Sequence, residues 1–255
     1  MRCPRLFCVL CCFLARPAYA AQEVILYGDD DYAPYSFVEL GQFKGIYVDL
    51  LKLAAARLTP EYDVVLKPRP WKRGLAELQS GFSFGLFPPG RKTDRSYIDL
   101  YSVPMYRETV VMFCNDSVMA SSRKSFPADF AGLTIGVNAG FLLSERLIDA
   151  AGRGIVKLAE SKGNEGNLRK LALKRIDCYA SDRAAALYTI RKSGAELAGL
   201  NLSEAVELSG EETFIAYSMA NNPPYKADFF ARMNAALTQL KKSGAVARIE
   251  QSYLK

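Results

Sequence analysis

Strand-like and helix-like segments alternate along most of this chain, and this alternation constrains the fold more than any other feature. Short runs of β-branched or apolar residues predict strands, whereas apolar residues at 3.6-residue spacing predict helices. In the first half, predicted strands cover residues 24–27, 62–66 and 82–87, and predicted helices cover residues 47–58 and 71–79. A β-α-β-α-β order predicts a parallel sheet with helices packed outside it.

The same order repeats in the second half of the chain. Predicted strands at 133–137, 155–158, 176–179 and 205–208 alternate with predicted helices at 126–130, 141–151, 164–173 and 181–192, and a terminal helix covers 226–240. Two long strands, residues 108–113 and 213–218, join the two runs. We therefore predict an α/β protein in which lobe 2 (111–212) is inserted into lobe 1 (21–110 and 213–255) through two hinge strands. Ligands of open α/β sheets bind beyond the carboxyl ends of the strands, so a cleft between the lobes is the expected site.

Residues 1–20 have the three-part pattern of an export signal. A basic start precedes an apolar run at residues 6–15, and the sequence Ala-Tyr-Ala at 18–20 supplies a cleavage motif. The apolar run is too short to cross a bilayer. We therefore expect cleavage after Ala20 and a mature protein in the periplasm, with a buried N-terminal strand as the alternative.

Charge and residue type exclude several classes of function. The chain has 33 Lys and Arg residues against 27 acidic residues, and three of the basic residues lie in the signal, which leaves a net charge of +3 on the mature chain. No basic run is long enough to indicate nucleic-acid binding. The chain has no histidine, which excludes histidine-based catalysis and histidine metal sites. We expect neither a metal nor a cofactor.

Two of the six cysteines, Cys114 and Cys178, lie outside the signal. One cysteine pair in an exported protein indicates one disulfide. Two buried free thiols are the alternative, and the sequence does not decide between them.

An acidic and aromatic stretch follows the first predicted strand. The triplet at residues 29–31 is Asp-Asp-Asp, and Tyr32, Tyr35 and Phe37 come directly after it. A loop of carboxylates and flat rings at the mouth of a sheet suits a small organic ligand better than nucleic acid or protein.

Four segments together resemble the extracellular solute-binding proteins of family 3, the polar amino-acid type that delivers ligands to ABC importers. They are residues 31–50 (DYAPYSF to GIYVDL), 71–81, 93–106 (TDR and DLYSVPMY) and 129–137 (DFAGLTIGV). Each motif alone is loose, but their order over nearly the whole mature chain is typical of this family. The resemblance implies the type II periplasmic binding protein fold and a monomer that captures its ligand between two lobes.

The resemblance also implies a set of ligand-binding residues. Arg95 matches the arginine that clamps the ligand carboxylate, and a guanidinium fork suits a carboxylate through paired hydrogen bonds. Asp182 matches the carboxylate that holds the ligand ammonium, although an aspartate in the first turn of a helix also complements the helix dipole. Tyr32 and Trp71 match positions that pack on the ligand side chain, with a core role as the alternative for Trp71. Asp29 matches a position that pairs with a basic ligand end.

The chain departs from the family pattern in two places. Phe87 lies where the family's amino-acid binders have small hydroxyl residues, and the prolines that follow offer neither an N–H donor nor a hydroxyl. Phe141 stands where the family often has a threonine. We therefore expect Phe87 and Phe141 to line the cleft, and the ligand to be larger, more apolar or differently oriented than a standard polar amino acid. Arg91 and Lys92 are predicted to be solvated surface cations.

These inferences predict a binding protein for a small carboxylate-bearing ligand, with the membrane permease of an ABC importer as partner. The alternative is an enzyme similar to cyclohexadienyl dehydratase on the same fold, which needs a positioned general acid. Asp29, Asp30, Asp31, Glu108 and Asp182 are candidates for that acid, and spacing gives no reason to choose among them. A third alternative is a ligand-sensing partner of a membrane receptor.

Overall fold

The first of two large sheets is built from both ends of the chain in this computed structural model, which describes residues 20–139, 144–194, 197, 200 and 202–254. Its strands are β1 (Gln22–Asp29), β5 (Tyr62–Arg69), β6 (Gly85–Phe87), β7 (Ile98–Tyr101) and β13 (Ala216–Ser218). The strand order is β5-β1-β6-β13-β7, with β1 parallel to β5 and β6. The predicted parallel unit is confirmed, and β7 adds a strand where an irregular stretch was expected.

Four helices belong to the same lobe. They are α1 (Ile46–Ala55), α2 (Trp71–Ser80), α7 (Lys226–Lys242) and α8 (Ala245–Leu254). α1 buries Leu50, Leu51 and Ala54 because apolar residues recur along one of its faces. α2 ends at Gly81, whose φ of +79° is a left-handed conformation that glycine adopts without steric cost. α8 was not predicted.

The acidic and aromatic stretch forms a small antiparallel sheet rather than a loop. Its strands are β2 (Asp31–Tyr32), β3 (Ser36–Glu39) and β4 (Gln42–Lys44). The β3–β4 turn has positive φ at both Leu40 (52°) and Gly41 (76°). A tight hairpin turn with two such residues normally carries Asn-Gly or Asp-Gly, so Leu-Gly at residues 40–41 is not a recognisable hairpin signal.

The second sheet is formed by the central part of the chain. Its strands are β8 (Tyr106–Cys114), β9 (Thr134–Asn138), β10 (Lys157–Ser161), β11 (Cys178–Asp182) and β12 (Ser203–Thr213). They lie in the order β10-β9-β11-β8-β12, with β9 parallel to β10 and β11. β8 is antiparallel to β11 and β12. This sheet confirms a second α/β lobe.

The helices of this lobe are short. They are α3 (Asp116–Met119), a 3-10 helix (Ala128–Phe130), α4 (Glu145–Gly152), α5 (Gly163–Ala172) and α6 (Arg183–Lys192). The Asp182 side chain caps α6, because it accepts the hydrogen bond from the Ala185 N–H. Asp182 therefore lies at the N-cap and not within the first turn.

Buried residues cover both faces of the second sheet. One cluster contains Met112, Ile135 and Val137, and the other contains Val111, Phe113 and Tyr179, as expected from alternation along a strand. Cys114 on β8 and Cys178 on β11 lie opposite each other and are joined by a disulfide. The bridge decides the alternative that the sequence left open.

The lobes are connected by β8 and β12, which pair from Tyr106 and Thr213 at the first lobe to Cys114 and Ser203 in the second. The predicted hinge strand at 108–113 lies inside β8. The predicted partner at 213–218 is wrong, because the crossing strand is β12 and only β13 follows in the first sheet. The predicted lobe boundaries, inside β8 and at the end of β12, stay a prediction.

The expected export signal, residues 1–19 and Ala20, lies almost wholly outside the described residues. Within the described ranges, no helix combines the length and the apolar character needed to cross a membrane.

Candidate functional site

Glu108 is the carboxylate around which the interlobe region is arranged. It lies near the first-lobe end of β8, where its two oxygens accept hydrogen bonds from the hydroxyls of Tyr32 and Tyr47, both at 2.5 Å. Burial raises the pKa of Glu108 to about 7, against the opposing effect of the two hydroxyls, and the negative charges of Asp182 and Glu211 add to the rise. The sequence offered Glu108 only as one of several candidate acids.

Asp182 faces the same region from the second lobe. Its Oδ1 accepts hydrogen bonds from the Tyr35 hydroxyl at 2.7 Å and the Ala185 N–H at 2.9 Å, and its Oδ2 accepts one from the Thr109 N–H at 3.3 Å. Burial raises the pKa of Asp182, and these hydrogen bonds oppose the rise. Asp182 is therefore both a helix cap and a carboxylate between the lobes, while its contact with a ligand ammonium stays a prediction.

Tyrosine rings fill the space between these carboxylates. The Tyr35 ring is stacked on Tyr47, with centroids 5.1 Å apart, and lies 5.0 Å from Tyr32 and 5.6 Å from Tyr106. The Tyr106 hydroxyl donates to Glu250. Each of the four hydroxyls meets a carboxylate, but only Tyr32 and Tyr106 are partly exposed, because Tyr35 and Tyr47 are fully buried.

Arg95 and Trp71 lie next to each other at the rim of the first lobe. The Arg95 guanidinium is 5.8 Å from the Trp71 ring centroid, and its Nη1 donates to the Gly90 carbonyl at 3.0 Å. Arg95 is only partly buried and has no carboxylate within 4.0 Å among the described residues. Trp71 is partly exposed and also packs against a buried cluster that includes Leu78 and Leu86. A guanidinium of this kind is available for an external carboxylate.

Glu211 lies where the cationic and anionic parts of the rim meet. It is opposite Glu108 in the β8–β12 pair. A Cβ atom at Gly90 would lie only 1.8 Å from Oε1 of Glu211, so the missing side chain of Gly90 makes room for this carboxylate. Sequence reasoning missed Glu211, because only the pairing of two distant strands brings it to Glu108 and Gly90.

The remaining predicted residues differ in their placement. Asp29 ends β1, accepts a hydrogen bond from the Asp31 N–H at 3.2 Å, and has a pKa that burial raises. Phe87 is fully buried, and its ring fills the space beside Gly28, where a Cβ atom would lie 2.3 Å away. The structure thus places Phe87 in the core rather than on the expected cleft wall. Phe141 lies outside the described residues.

A polar network forms the facing edge of the second lobe. The Asn138 and Tyr179 side chains donate to Oδ1 of Asn164, at 2.5 and 2.7 Å, and Asn164 donates weakly to the Thr189 hydroxyl at 3.3 Å. A cavity of about 640 Å³ lies between this edge and the small sheet. Its lining includes Phe37, Val38, Glu39, Asn164, Tyr188, Thr189 and Lys192. Within the described ranges, no group of three or more acidic or cysteine side chains is arranged to hold a metal ion.

Comparison with known proteins gives a consistent result. The model of the bacterial extracellular solute-binding proteins, family 3, matches residues 24–255. The "Putative amino-acid ABC transporter-binding protein PatH" of Vibrio harveyi is 26% identical over 252 residues, covering 92% of this chain and 90% of PatH.

Two solved structures share the fold. They are substrate-binding domain 2 of Lactococcus lactis GlnP and the L-cystine solute receptor of Neisseria gonorrhoeae, both in open conformations. Each is 19% identical with a TM-score of 0.73 and covers 91% of this chain, and the alignments cover 95% and 93% of those chains. The predicted type II periplasmic binding protein fold is confirmed.

Proposed function

Because the chain belongs to the bacterial extracellular solute-binding proteins of family 3, we propose that it captures an amino-acid-like, carboxylate-bearing ligand between its lobes. The observation that supports this most directly is Arg95 on the first lobe, which has no carboxylate within 4.0 Å among the described residues, together with the Glu108 and Asp182 carboxylates between the lobes. A cation at one end and carboxylates at the other match the two charges of a zwitterion.

Each end of the site has the chemistry for its part of the ligand. The planar fork of Arg95 suits a carboxylate through two parallel charged hydrogen bonds. An ammonium group is attracted both by carboxylates and by the faces of tyrosine rings. Trp71, Tyr32 and Asp29 would then contact the ligand side chain, with Phe141 as a further candidate.

The cellular role follows from the family and from the two connecting strands. β8 and β12 are the only strands that join the large sheets within the described residues, so closure would bend them as a hinge. The protein would act in the periplasm after export and deliver its ligand to the permease of an ABC importer. PatH, which is similar over most of its length, carries such a transporter-binding name.

A thermal-shift screen of residues 21–255 with amino acids, polyamines and carboxylates tests this proposal. A ligand at a hundredfold excess over its dissociation constant stabilises the fold by about 2.7 kcal/mol. We expect Arg95→Ala to abolish the shift. Arg153→Ala, which replaces an exposed arginine directly after α4 that pairs with Asp149, should leave it unchanged. A hit that binds Arg95→Ala as tightly as the wild type would show that the carboxylate clamp is assigned wrongly.

Glu108 favours one second candidate, an enzyme of the cyclohexadienyl dehydratase type. A carboxyl group whose pKa lies near 7 in a cleft has the property required of a general acid at neutral pH. Incubation with prephenate or arogenate discriminates the two functions. Turnover that is lost in Glu108→Gln replaces the binding role with a catalytic one, and a thermal shift without turnover supports binding.

A further inference from the structure

Arg91 is held in place although its side chain is exposed. Its guanidinium lies 4.8 Å from the Phe214 ring centroid and 5.2 Å from that of Tyr101. Phe214 is buried and precedes β13, and Tyr101 ends β7, so both rings lie at the rim that carries Arg95. Stacking on two rings orients a guanidinium and leaves its N–H donors free. Arg91 is exposed, as predicted, but the two rings orient its guanidinium.

The Tyr101 hydroxyl lies close to both arginines and lacks a partner. It is buried and makes no hydrogen bond of standard geometry, although the backbone N–H of Lys92 faces it. Burial raises the pKa of Tyr101, and the positive charges of Arg95 and Arg91 oppose that rise. A buried hydroxyl without a partner carries a free-energy cost that a hydrogen-bond acceptor from outside the chain would remove.

The charges around this loop are unbalanced. Among the described residues, neither Arg91 nor Arg95 has a carboxylate within 4.0 Å. Glu211 is the nearby acid, beside Gly90, and its negative charge acts on Tyr32 and Glu108. The arginine side of the rim therefore carries two positive charges and an unsatisfied hydroxyl.

We propose that Arg91, Arg95 and Tyr101 form one anion-binding subsite, and that the ligand is an amino acid with a second acidic group. One ligand carboxylate can form paired hydrogen bonds with one guanidinium, here that of Arg95. The Arg91 guanidinium and the Tyr101 hydroxyl then remain as hydrogen-bond donors for a second anionic group of the ligand. This inference rests on the proposed function, because it assumes that Arg95 receives the first carboxylate.

Calorimetric titration of residues 21–255 with matched ligand pairs tests the subsite. The acidic probes are L-aspartate, L-glutamate and L-2-aminoadipate, and the neutral counterparts are L-asparagine and L-glutamine. We expect at least one acid to bind more tightly than its neutral counterparts by about tenfold or more, the effect of one charged hydrogen-bonded contact. Equal or tighter binding of the neutral ligands would overturn the inference.

Variants separate this subsite from general loss of function. Arg91→Ala should weaken binding of the acid by about 10- to 100-fold and leave a neutral amino acid unchanged, and Tyr101→Phe should have a smaller effect of the same selectivity. Lys92→Ala removes the same charge from the next residue and should change neither affinity beyond about twofold. Circular dichroism on each variant establishes that it is folded.

The possible failures are distinguishable. If neutral amino acids bind most tightly, and their affinity depends on Arg95 but not on Arg91, the proposed function stands. The inference that the ligand carries a second anionic group is then wrong. If no ligand depends on Arg95, both fail. If Arg91→Ala weakens acidic and neutral ligands equally, Arg91 supports the fold of the rim and does not select the ligand.

Discussion

The rims of the two lobes differ in how their polar groups are satisfied. In the first lobe, neither Arg91 nor Arg95 has a carboxylate within 4.0 Å among the described residues, and the Tyr101 hydroxyl makes no hydrogen bond of standard geometry. In the described part of the second lobe, Asn138 and Asn164 bond to each other and to Tyr179. The first-lobe rim therefore presents two cations that lack an acid partner among the described residues, whereas the described edge of the second lobe combines a neutral network with the Asp182 carboxylate.

The two lobes also differ in how their interiors are held together. The first lobe has a large buried cluster that joins its sheet to α1 and α7, with Leu26, Leu51 and Phe229 among its members, and a smaller cluster that contains Leu78 and Leu86. The second lobe divides its buried residues between two faces of its sheet and adds the Cys114–Cys178 bridge. We therefore expect the second lobe to depend more strongly on a single covalent link.

Removal of the disulfide should give the largest effect and should separate the lobes. The bridge closes a loop of 64 residues, for which loop-closure entropy corresponds to about 4 kcal/mol of stability. In urea, the reduced protein or Cys114→Ala/Cys178→Ala should lose circular dichroism at lower denaturant than the oxidised protein. Fluorescence of Trp71, the only tryptophan, reports on the first lobe and should shift less. If the urea midpoints from circular dichroism and from Trp71 fluorescence shift equally, the second lobe does not depend on the disulfide more than the first lobe does.

Replacement of Glu108 should give the second-largest effect on the free energy of unfolding, and this effect should depend on pH. The pKa of Glu108 is raised to about 7 by burial, so the folded state holds a proton that the unfolded chain releases near pH 4.5. The stabilisation is fully present below that pH and is lost as the pH rises to about 7. The stability of Glu108→Gln relative to the wild type should therefore increase by up to about 3 kcal/mol between pH 4.5 and 7.

The exposed Glu212 on β12 provides the control for this measurement. Glu212→Gln changes the same charge without removing a group that is buried between tyrosines. A pH dependence of unfolding that is the same in the wild type and Glu108→Gln would contradict the raised pKa.

The smallest expected effect concerns the contact of the small sheet with α6. Glu39 binds Lys44 within the small sheet and Lys192 of the second lobe at 2.6 Å. Lys192→Gln should weaken ligand binding by less than about threefold, because exposed ion pairs contribute little, and the effect should vanish at high salt. Lys44→Gln removes the pair within the first lobe and should leave affinity unchanged. A larger effect from Lys44 would show that this contact does not connect the lobes.

The regular parts of the fold were predictable because periodicity reports burial. The first and second α/β units follow from apolar spacing, and β1, β5 and α1 lie where the pattern places them. β12 was misread because an edge strand carries exposed charges such as Glu211 and Glu212, which interrupt an apolar pattern. The small sheet was missed because Leu40 stands where a hairpin turn normally has Asn or Asp.

The site was predictable only where one residue acts alone. Arg95, Trp71 and Tyr32 follow from the resemblance to the family, and the structure places all three at the rim of the first lobe or in the interlobe region. Phe87 was predicted to line the cleft because its ring was assumed to face a ligand. In the structure, the ring packs in the core against Gly28, which has no side chain to exclude it. Arg91 was predicted only as a surface cation, because its contact with Phe214 joins segments that are far apart in the sequence.

A crystal structure of residues 21–255 with the tightest ligand from the screen would show directly whether the ligand binds between the lobes through Arg95. We predict that the ligand lies between the lobes, with a carboxylate about 2.7–3.2 Å from the Arg95 guanidinium nitrogens and its ammonium directed towards Asp182 and Glu108. A ligand bound outside the interlobe region, or one whose carboxylate makes no contact with Arg95, would contradict the proposed mode of binding.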